Sequence, residues 1–435
     1  MKLKVVLLGG GSGYFQNVLA ELAVIPDIQG SSIVLYDVET RRMGWIKQVG
    51  RRIFDKTGAT HKLWSTTDLA RALDGADFAI SSIGVHGPGY AWHRLDCEVC
   101  ARFGIIHTTG DTAGPAGISQ ALRIIPIYVE IAQAMKKYCP DAILLNHSNP
   151  MAPICRAIIK HVGINVVGYC HNIPNDIAWY GEVLGLDPAE LEVIAGGPNH
   201  MTWLLSIRHH GRDVYPELRR RIAQGEPPRG HIFGREMLEL FDVLPIGCDR
   251  HIIEFFPQLR IAKRPEELPY EMLWRCDLLD RVMPPDEAQA LLERRAKGLE
   301  DPEILPAPTP ESMGRNVRAM ALGVEHLQYV NTPNVGAVPN LPDWAVLDLK
   351  CVIGTHGARP LFVGELPPQA ARWSLAHVYA HELVADAAVE GSRHKALQAL
   401  ACDSMMLNFN EVEPLFNAIV EAHGPRLARF RKRSR

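Results

Sequence analysis

Short apolar runs separated by longer amphipathic segments characterise the first 170 residues of the chain. The apolar runs predict buried strands at residues 4–8, 32–36, 78–83, 142–145 and 166–169. The segments between them predict helices at residues 16–22, 118–138 and 150–161. Because strands that alternate with helices are joined by right-handed crossovers, we expect a doubly wound parallel sheet of the α/β class.

A different pattern begins after about residue 196. Strands are predicted at residues 201–208, 330–338 and 345–352, and the last two should return to the sheet. Helices are predicted at residues 270–282, 286–299, 311–327 and 370–423, with Pro284-Pro285 ending the first and 302–310 forming a proline-rich loop. We therefore expect two domains, residues 1–195 and 196–435. The second should be an α+β domain that packs over the carboxyl ends of the first domain's strands.

The composition is that of a soluble globular protein, with 47% hydrophobic and 22% charged residues among 435. A formal net charge of −3 gives no general affinity for nucleic acid, and the basic residues within 426–435 predict only a solvated tail. Nine scattered cysteines favour a reducing compartment over a disulfide framework. No signal peptide is recognisable, and no apolar run approaches the roughly 18 residues of a membrane span. We expect a cytoplasmic protein that binds neither nucleic acid nor a membrane.

A glycine-rich turn follows the first predicted strand and precedes a helix. Gly9 and Gly11 let the backbone approach a pyrophosphate, Ser12 lies in the same turn, and the helix N-terminus favours negative charge. Asp37 ends the second strand, where a carboxylate binds ribose hydroxyls and repels a 2′-phosphate. Tyr14 stands at the third position of the usual G-x-G-x-x-G, and Asp37 lies further along than usual. These residues predict a Rossmann-like domain that binds NAD+ in preference to NADP+.

A thiol and two imidazoles follow the last strand of this domain. Cys170 and His171 come directly after residues 166–169, and His200 lies in a turn with Pro198. Cysteine and histidine ligate divalent cations, and ligands of doubly wound sheets bind at the carboxyl ends of the strands. A cysteine at a strand end is nevertheless more often a small buried hydrophobe, so both interpretations stay open.

Further polar loops fall where such a sheet gathers its ligands. They are residues 110–117, residues 146–150 and residues 247–251, the last followed by Glu254-Phe255-Phe256-Pro257. Each alone is compatible with turn and capping chemistry. Their number at one edge of the predicted sheet favours an active site.

On these motifs the chain resembles glycoside hydrolase family 4, the NAD- and metal-dependent glycosidases, over nearly its whole length. The marks are Gly9-Gly10-Gly11-Ser12, Asn149-Pro150, Cys170-His171, Asn199-His200 with Trp203, Asn331-Thr332-Pro333-Asn334 and Asn340-Leu341-Pro342. Within the family it looks most like the α-galacturonidase branch. That likeness rests on Gly110-Asp111-Thr112 with Gly114-Pro115, and on Asp249-Arg250-His251 with Glu254-Phe255.

The resemblance implies an unusual hydrolysis, which differs from catalysis by two carboxylates. Bound NAD+ oxidises the hydroxyl at carbon 3 of the sugar, a base removes the acidified proton at carbon 2, and the glycosidic oxygen leaves carbon 1. Water then adds, and the NADH reduces the ketone again. The cofactor is thus recycled in each turnover, while a divalent metal polarises the carbonyl.

The resemblance also implies roles for individual residues. Cys170 and His200 match the metal ligands, usually of Mn2+, and Asn149 matches the position that contacts substrate hydroxyls. Asp111 lies in a matching polar loop near the sugar or the metal. His171 stands where members that cleave phosphoglycosides carry an aspartate as acid. This departure argues against a 6-phosphoglycoside and makes His171 the candidate acid.

Two functions in the site are less closely fixed by the resemblance. The base for carbon 2 is a tyrosine in some members, and Asp249 and His251 lie in the corresponding region here. A uronate carboxylate is best bound by an arginine, for which Arg250 is the candidate, although a structural salt bridge is an equal alternative.

The sequence therefore predicts a glycosidase that acts on α-linked hexuronides, α-galacturonides first, as a homodimer or homotetramer. An α-glucuronide, an α-galactoside or a sulfonated sugar is the alternative substrate within the family. An NAD-dependent 2-hydroxy-acid dehydrogenase and a non-catalytic NAD-sensing protein are alternatives outside it.

Overall fold

A parallel sheet of six strands forms the first half of the protein. The computed structural model describes residues 1–87, 90–225, 231–282, 285–302 and 311–432. The six strands are β1 (Lys4–Leu8), β2 (Ser32–Tyr36), β3 (Lys62–Thr66), β4 (Phe78–Ser81), β5 (Ile143–Asn146) and β6 (Val166–Gly168). Their order, β3-β2-β1-β4-β5-β6, confirms the doubly wound, Rossmann-like arrangement.

Helices cover both faces of this sheet. They are α1 (Phe15–Ala23), α2 (Thr40–Thr57), α3 (Leu69–Leu73), α4 (Ala91–Ala101), α5 (Gly114–Tyr138) and α6 (Met151–His161). Helix α7 (Asn172–Leu184) follows β6 and packs against elements of the second half. The strands other than β3 read as nearly continuous apolar runs because they are largely buried, whereas β3 at the edge of the sheet is exposed or half-buried. The strands and helices predicted for this half are confirmed, with ends that shift by up to four residues.

The second half extends the same sheet with antiparallel strands. These are β7 (Leu191–Gly197), β8 (Thr202–His209), β9 (Arg212–Asp213), β10 (Leu244–Ile246), β11 (His326–Pro333), β12 (Val346–Gly354) and β13 (Gly357–Pro360). The junction is between β11 and β6, where Asn331 pairs with Gly168. The order then continues β11-β12-β7-β8-β10, so the predicted return of two strands to the sheet is confirmed. The domain boundary at 195/196, which falls inside β7, stays a prediction.

The remaining helices belong to the second, α+β half. They are α8 (Tyr215–Ala223), α9 (Ile232–Phe241), α10 (Asp249–Ile252), α11 (Arg275–Val282), α12 (Pro285–Lys297), α13 (Met313–Leu322), α14 (Pro368–Glu390), α15 (Arg393–Cys402) and α16 (Phe409–His423). Helix α14 packs on α5 and α6 of the first half. Helix α14 also contacts β8, where the buried Trp203 donates its indole N–H to Ser374 Oγ on α14 at 3.1 Å.

Three predicted elements differ from the structure. The helix expected at 270–282 begins only at Arg275, because Tyr270 and Glu271 have φ of +59° and +56°, outside the helical region. The helix expected at 311–327 ends at Leu322, where Gly323 takes a left-handed conformation that caps the helix. The strand expected at 330–338 therefore begins earlier, at His326, and ends at Pro333. The predictions for Pro284, residues 303–310 and residues 433–435 lie outside the described residues.

All nine cysteines are free, as expected for a chain without a disulfide framework. Across the described ranges, no helix combines the length and the apolar character that crossing a bilayer requires.

Candidate active site

The glycine-rich turn after β1 is built tightly against two neighbouring strands. The amides of Gly9 and Gly10 both donate to the carbonyl of Tyr36, at 2.9 and 2.8 Å. Gly9 has φ of +85°, and a β-carbon there would lie 2.4 Å from the carbonyl oxygen of Ser82. Ser12 Oγ lies 2.9 Å from Ser82 Oγ. Only glycine fits the first position of the turn, which holds its backbone close to the end of β4.

Asp37 is held in place at the end of β2. Its Oδ2 accepts the amide of Gly11 at 2.8 Å, and its Oδ1 accepts the amide of Glu39 at 3.0 Å. A β-carbon on Gly11 would lie 3.1 Å from Asp37 Oδ2 and 3.0 Å from Cβ of Arg42. The structure thus brings Gly9, Gly11, Ser12 and Asp37 into one cradle, where a dinucleotide binds in this fold class.

Tyr14, at the third position of the glycine motif, bridges the nucleotide turn and the end of β5. Its hydroxyl lies 3.0 Å from Nε2 of His147, and the ring of His147 stacks on Tyr169 with centroids 5.6 Å apart. Burial lowers the pKa of His147 to about 4, so this imidazole is neutral near pH 7. Tyr14 therefore has a structural role at the position where the usual motif has glycine, because its side chain connects the turn to His147.

Cys170 is buried just beyond the end of β6. Burial raises the pKa of its thiol to about 12, and the nearby carboxyl of Asp348 adds to the effect. Asp348 lies on β12 and accepts a hydrogen bond of 3.4 Å from Asn199. Burial raises the pKa of Asp348 to about 7. A bound cation would favour ionisation of both groups, because positive charge stabilises thiolate and carboxylate.

His200 lies in the turn between β7 and β8. It has φ of +68°, a conformation that few residues with a β-carbon adopt and that is enriched at functional sites. Its ring stacks on His251 of α10, with centroids 4.5 Å apart and planes 6° apart. Burial lowers the pKa of His200 to about 4, against the opposing charge of Asp111. The imidazole is therefore neutral near pH 7, the form that ligates metals.

Asp111 is placed beside this pair of imidazoles. Burial opposes its ionisation, but His200 and His251 hold the pKa of its carboxyl well below the usual range. Its Oδ1 accepts a hydrogen bond of 2.7 Å from the hydroxyl of Thr112. The positive charge of Arg275 also stabilises the carboxylate. Asp111 is thus an ionised acid at the centre of the polar loops.

A buried carboxylate holds the loop that carries Asp111. Glu254 accepts the amides of Thr108, Thr109 and Gly110 at 2.8 to 3.0 Å. It also pairs with Nδ1 of His107 at 3.0 Å. Burial alone would lower the pKa of His107, but the Glu254 carboxylate raises it to about 10. The pair is therefore ionic, and its three amide bonds set the course of the backbone immediately before Asp111.

Arg250 is fixed by its backbone and leaves part of its side chain without a partner. Its carbonyl accepts the hydroxyls of Thr108 at 2.7 Å and Thr109 at 3.0 Å. Its Nη1 is buried and has no hydrogen-bond partner. The charge of Arg250 also lowers the pKa values of His200 and His251, after the larger effect of burial. Such an unsatisfied guanidinium nitrogen is suited to an anion.

Asp249 is directed toward α9 instead. Its Oδ2 accepts the amide of Phe233 at 2.7 Å, and its Oδ1 accepts the amide of Gly234 at 2.9 Å. Burial raises the pKa of the carboxyl to about 6, although these amide bonds oppose the shift. Asp249 thus satisfies the first amides of a helix, a capping role. The structure brings His251, and not Asp249, against His200.

His171 is more exposed than the other site residues, with 56% of its side-chain surface accessible. Its Nδ1 lies 3.2 Å from Oε1 of Glu311, which precedes α13 by two residues and whose side chain is 11% accessible. Burial would raise the pKa of Glu311, but chiefly the hydrogen bond to His171 lowers it. The pair leaves Nε2 of His171 available to a bound molecule.

Several buried polar atoms around these residues have no hydrogen-bond partner. They include Asn149 Oδ1, Asn199 Oδ1, His200 Nδ1, Arg250 Nη1, Asn331 Oδ1 and Nδ2, and Asp348 Oδ1. Native proteins satisfy almost all such atoms, so these atoms of the candidate site residues are available to polar ligands. Among the described residues, however, Cys170 and His200 do not belong to a group of three or more His, Cys, Asp or Glu ligand atoms within 4.8 Å of one another.

Three residues of the site were missed in the sequence. Asp348 could have been found as a carboxylate inside an apolar strand, where an ionisable residue has a high cost. Asn331 was recognised only as part of a family motif and was given no role. Glu311 carries no signal in its own neighbourhood, because its partner His171 is 140 residues away.

Comparison with known proteins identifies the family to which the chain belongs. Residues 4–176 match the family described as Family 4 glycosyl hydrolase, and residues 195–406 match the Family 4 glycosyl hydrolase C-terminal domain. An alpha-galactosidase from Bacillus subtilis is 28% identical over 98% of this chain and 100% of its own. An alpha-galacturonidase from the same species is also 28% identical, over 97% of each chain.

A solved structure shows the same fold. A 6-phospho-alpha-glucosidase from gut microorganisms, in complex with NAD and Mn2+, superposes with a TM-score of 0.83 and 22% identity. The match covers 98% of this chain and 99% of that chain. Because the two family regions together span most of its length, this chain belongs to glycosyl hydrolase family 4.

Proposed function

We propose that this family 4 glycosidase hydrolyses α-linked hexuronides, α-galacturonides first, with NAD+ and a divalent metal, usually Mn2+. The observation that carries the substrate assignment is the buried, unpartnered Nη1 of Arg250 beside His200 and His251. A carboxylate on the sugar would satisfy this nitrogen by a charge-assisted hydrogen bond. A neutral sugar would leave the buried positive charge of Arg250 without a counter-ion.

The cradle after β1 fits NAD+. Gly9 and Gly11 lie where a β-carbon would collide with the fold, and no side chain caps the N-terminus of α1. Asp37, oriented by the amide of Gly11, would bind the adenosine ribose and disfavour a 2′-phosphate. When bound, NAD+ supplies the reversible oxidation and reduction of a sugar carbon.

Cys170 and His200 would hold the metal, which when bound supplies Lewis-acid polarisation. His200 is neutral and ready to ligate, whereas Cys170 must lose its proton on binding. Two protein ligands leave coordination positions for sugar oxygens. Asn149, whose Oδ1 has no partner in the structure, would bind sugar hydroxyls beside the metal.

Proton transfer would fall to two imidazoles on different sides of the site. His171 is the candidate acid, and Glu311 orients it by accepting at Nδ1, so that Nε2 faces the substrate. His251 is the candidate base, because its ring stacks on that of His200 in the site; burial lowers its pKa well below the usual range, so it is unprotonated near pH 7. Asp249 remains the second candidate, but amides of α9 hold both of its oxygens.

An α-galactoside is the second candidate substrate, because the galactosidase and galacturonidase relatives are equally identical to this chain at 28%. A panel of aryl α-glycosides distinguishes the two. Galacturonide, glucuronide, galactoside and a sulfonated sugar would be assayed with NAD+, Mn2+ and a thiol reductant. We expect the galacturonide to have the highest kcat/KM. Cleavage of only the neutral galactoside would overturn the uronide assignment.

We further propose that the protein is a homodimer or homotetramer. Light scattering coupled to size-exclusion chromatography measures the mass directly. A monomer at micromolar concentration that is fully active would refute this proposal.

A further inference from the structure

A cluster of two histidines and a glutamate lies at the far end of the strand that begins beside the active site. Glu190 ends the short 3-10 helix Pro188–Glu190, while His209 ends β8 and His210 begins the turn to β9. One ligand atom from each residue lies within 4.8 Å of the other two. Among the described residues, it is the one group of three His, Cys, Asp or Glu residues whose ligand atoms all lie within 4.8 Å of one another.

The distances between the ligand atoms match the edges of a tetrahedral metal site. Oε2 of Glu190 lies 3.0 Å from Nε2 of His209 and 3.5 Å from Nε2 of His210. Zinc binds histidine nitrogen and carboxylate oxygen at about 2.0–2.2 Å in tetrahedral geometry, which places neighbouring ligand atoms about 3.3 Å apart. The two observed separations lie on either side of that value.

The local backbone explains why the three side chains converge. His209 pairs with Leu191 across β7 and β8, so Glu190, which precedes Leu191, lies next to the histidine pair. His210 and Gly211 have φ of +48° and +77°, which turns the chain tightly into β9. The two imidazole rings are consequently only 4.1 Å apart between centroids. A pair of adjacent histidines on a tight turn thus presents both rings toward one carboxylate.

We propose that Glu190, His209 and His210 form a second metal site, which takes Zn2+ or a similar borderline cation such as Co2+ or Ni2+. Two imidazoles and one carboxylate suit these ions better than Mg2+ or Mn2+, which favour oxygen ligands. Glu190 and His210 are exposed, so a water molecule can occupy the fourth position. The site fastens the 3-10 helix to the turn between β8 and β9.

This site is separate from the catalytic chemistry. Strand β8 takes seven residue steps from Thr202, next to the His200 turn, to His209. At about 3.4 Å per residue, the two ends are roughly 24 Å apart. Binding here should therefore stabilise the folded protein without activating it, because the metal binds the folded state and not the unfolded chain. The inference does not depend on the proposed substrate.

The test is a calorimetric Zn2+ titration of the NAD-bound enzyme, compared with the double variant His209→Gln/His210→Gln. We expect the double variant to bind one equivalent fewer and to lose the Zn2+-dependent rise in Tm. Glu190→Gln should weaken the Zn2+ affinity of this site about tenfold or more. Loss of a residue that only hydrogen-bonds to a metal ligand already costs about tenfold, and Glu190 is proposed as a ligand itself. The exposed His394→Gln is the matched control and should bind as the native protein does.

Two readouts distinguish this site from Cys170. Co2+ bound at the cluster should give a tetrahedral visible spectrum without a thiolate charge-transfer band, and the double variant should lose it. Hydrolysis with Mn2+ should be unchanged in the variants, which also shows that they fold. Equal Zn2+ stoichiometry and affinity in the native protein and the double variant would overturn the proposal and leave the cluster as a pair of His–Glu contacts.

Discussion

The carboxylate of Glu254 accepts the amide of Gly110 with both of its oxygens, at 3.0 and 2.9 Å. The two residues are 144 positions apart, and the bond joins the loop after α4 to the segment after α10. The next residue after Gly110 is Asp111, whose carboxylate interacts electrostatically with His200 and His251. The placement of Asp111, an ionised acid of the candidate site, thus depends on a buried carboxylate whose own partners are backbone amides and His107.

Glu254→Gln should therefore impair both stability and activity. An amide presents only one acceptor oxygen to the three backbone amides and leaves the charge of His107 unpaired. Breaking a buried ion pair costs about 3–5 kcal/mol, which urea denaturation would measure. Glu325→Gln, at an exposed pair with Arg359, is the control and should cost far less. Equal losses in the two variants would contradict the role given to Glu254.

The His107–Glu254 pair also predicts a loss of stability at alkaline pH. The pKa of His107 in the folded protein is raised to about 10, above the value of about 6.5 in an unfolded chain. Its contribution is complete below about pH 6.5 and is lost as the pH rises through about 10. The free energy of unfolding should fall over this range by at most about 1.4 kcal/mol per pH unit. His107→Gln should remove this component, and an unchanged slope in that variant would count against it.

Arg250→Met should change substrate preference more than it changes catalysis in general. Loss of a hydrogen bond to a charged group costs about 1.5–3 kcal/mol, or about 10- to 150-fold in kcat/KM for an α-galacturonide. An α-galactoside, which has no carboxylate, should lose much less. Arg372→Met removes an exposed guanidinium that lies over Trp373 and serves as the control. A loss of the same size on both substrates would assign Arg250 a structural role.

Cys170→Ser should weaken activation by metal. A hydroxyl remains protonated where the thiol can ionise on binding, so the Mn2+ concentration for half-maximal activity should rise about tenfold or more. Cys402→Ser, at an exposed position, should leave that concentration unchanged. Titration of the chelator-treated enzyme with Mn2+ gives both values. Native-like activation of the Cys170 variant would remove this residue from the metal site.

Local sequence carries some parts of this site and not others. The turn is recognisable at Gly9 because only glycine tolerates its positive φ and its close approach to the end of β4. Strands such as Lys4–Leu8 are recognisable because they are buried on both faces. The orientation of Asp249 cannot be recognised from the local sequence, because its partners are amides of α9 that lie 15 and 16 residues earlier in the chain. The same holds for Glu311 and Asp348, whose roles arise only when distant strands and helices meet.

The left-handed residues show a further limit of sequence patterns. The helix predicted at 270–282 has suitable periodicity, yet Tyr270 and Glu271 take positive φ in the structure. Neither is a residue type that marks such a conformation. Packing can impose this local cost, and Phe233 lies against Tyr270 with ring centroids 5.2 Å apart. Helix propensity is thus overridden by tertiary contacts at that position.

The central claim is that the glycosidic bond is broken by oxidation and elimination, with a proton removed at carbon 2 of the sugar. Hydrolysis of an aryl α-galacturonide in D2O, with NAD+ and Mn2+, tests this directly when the released sugar is examined by NMR. We predict deuterium at carbon 2 of the product and no net accumulation of NADH. A product that retains hydrogen at carbon 2, released at the same rate without NAD+, would contradict the account.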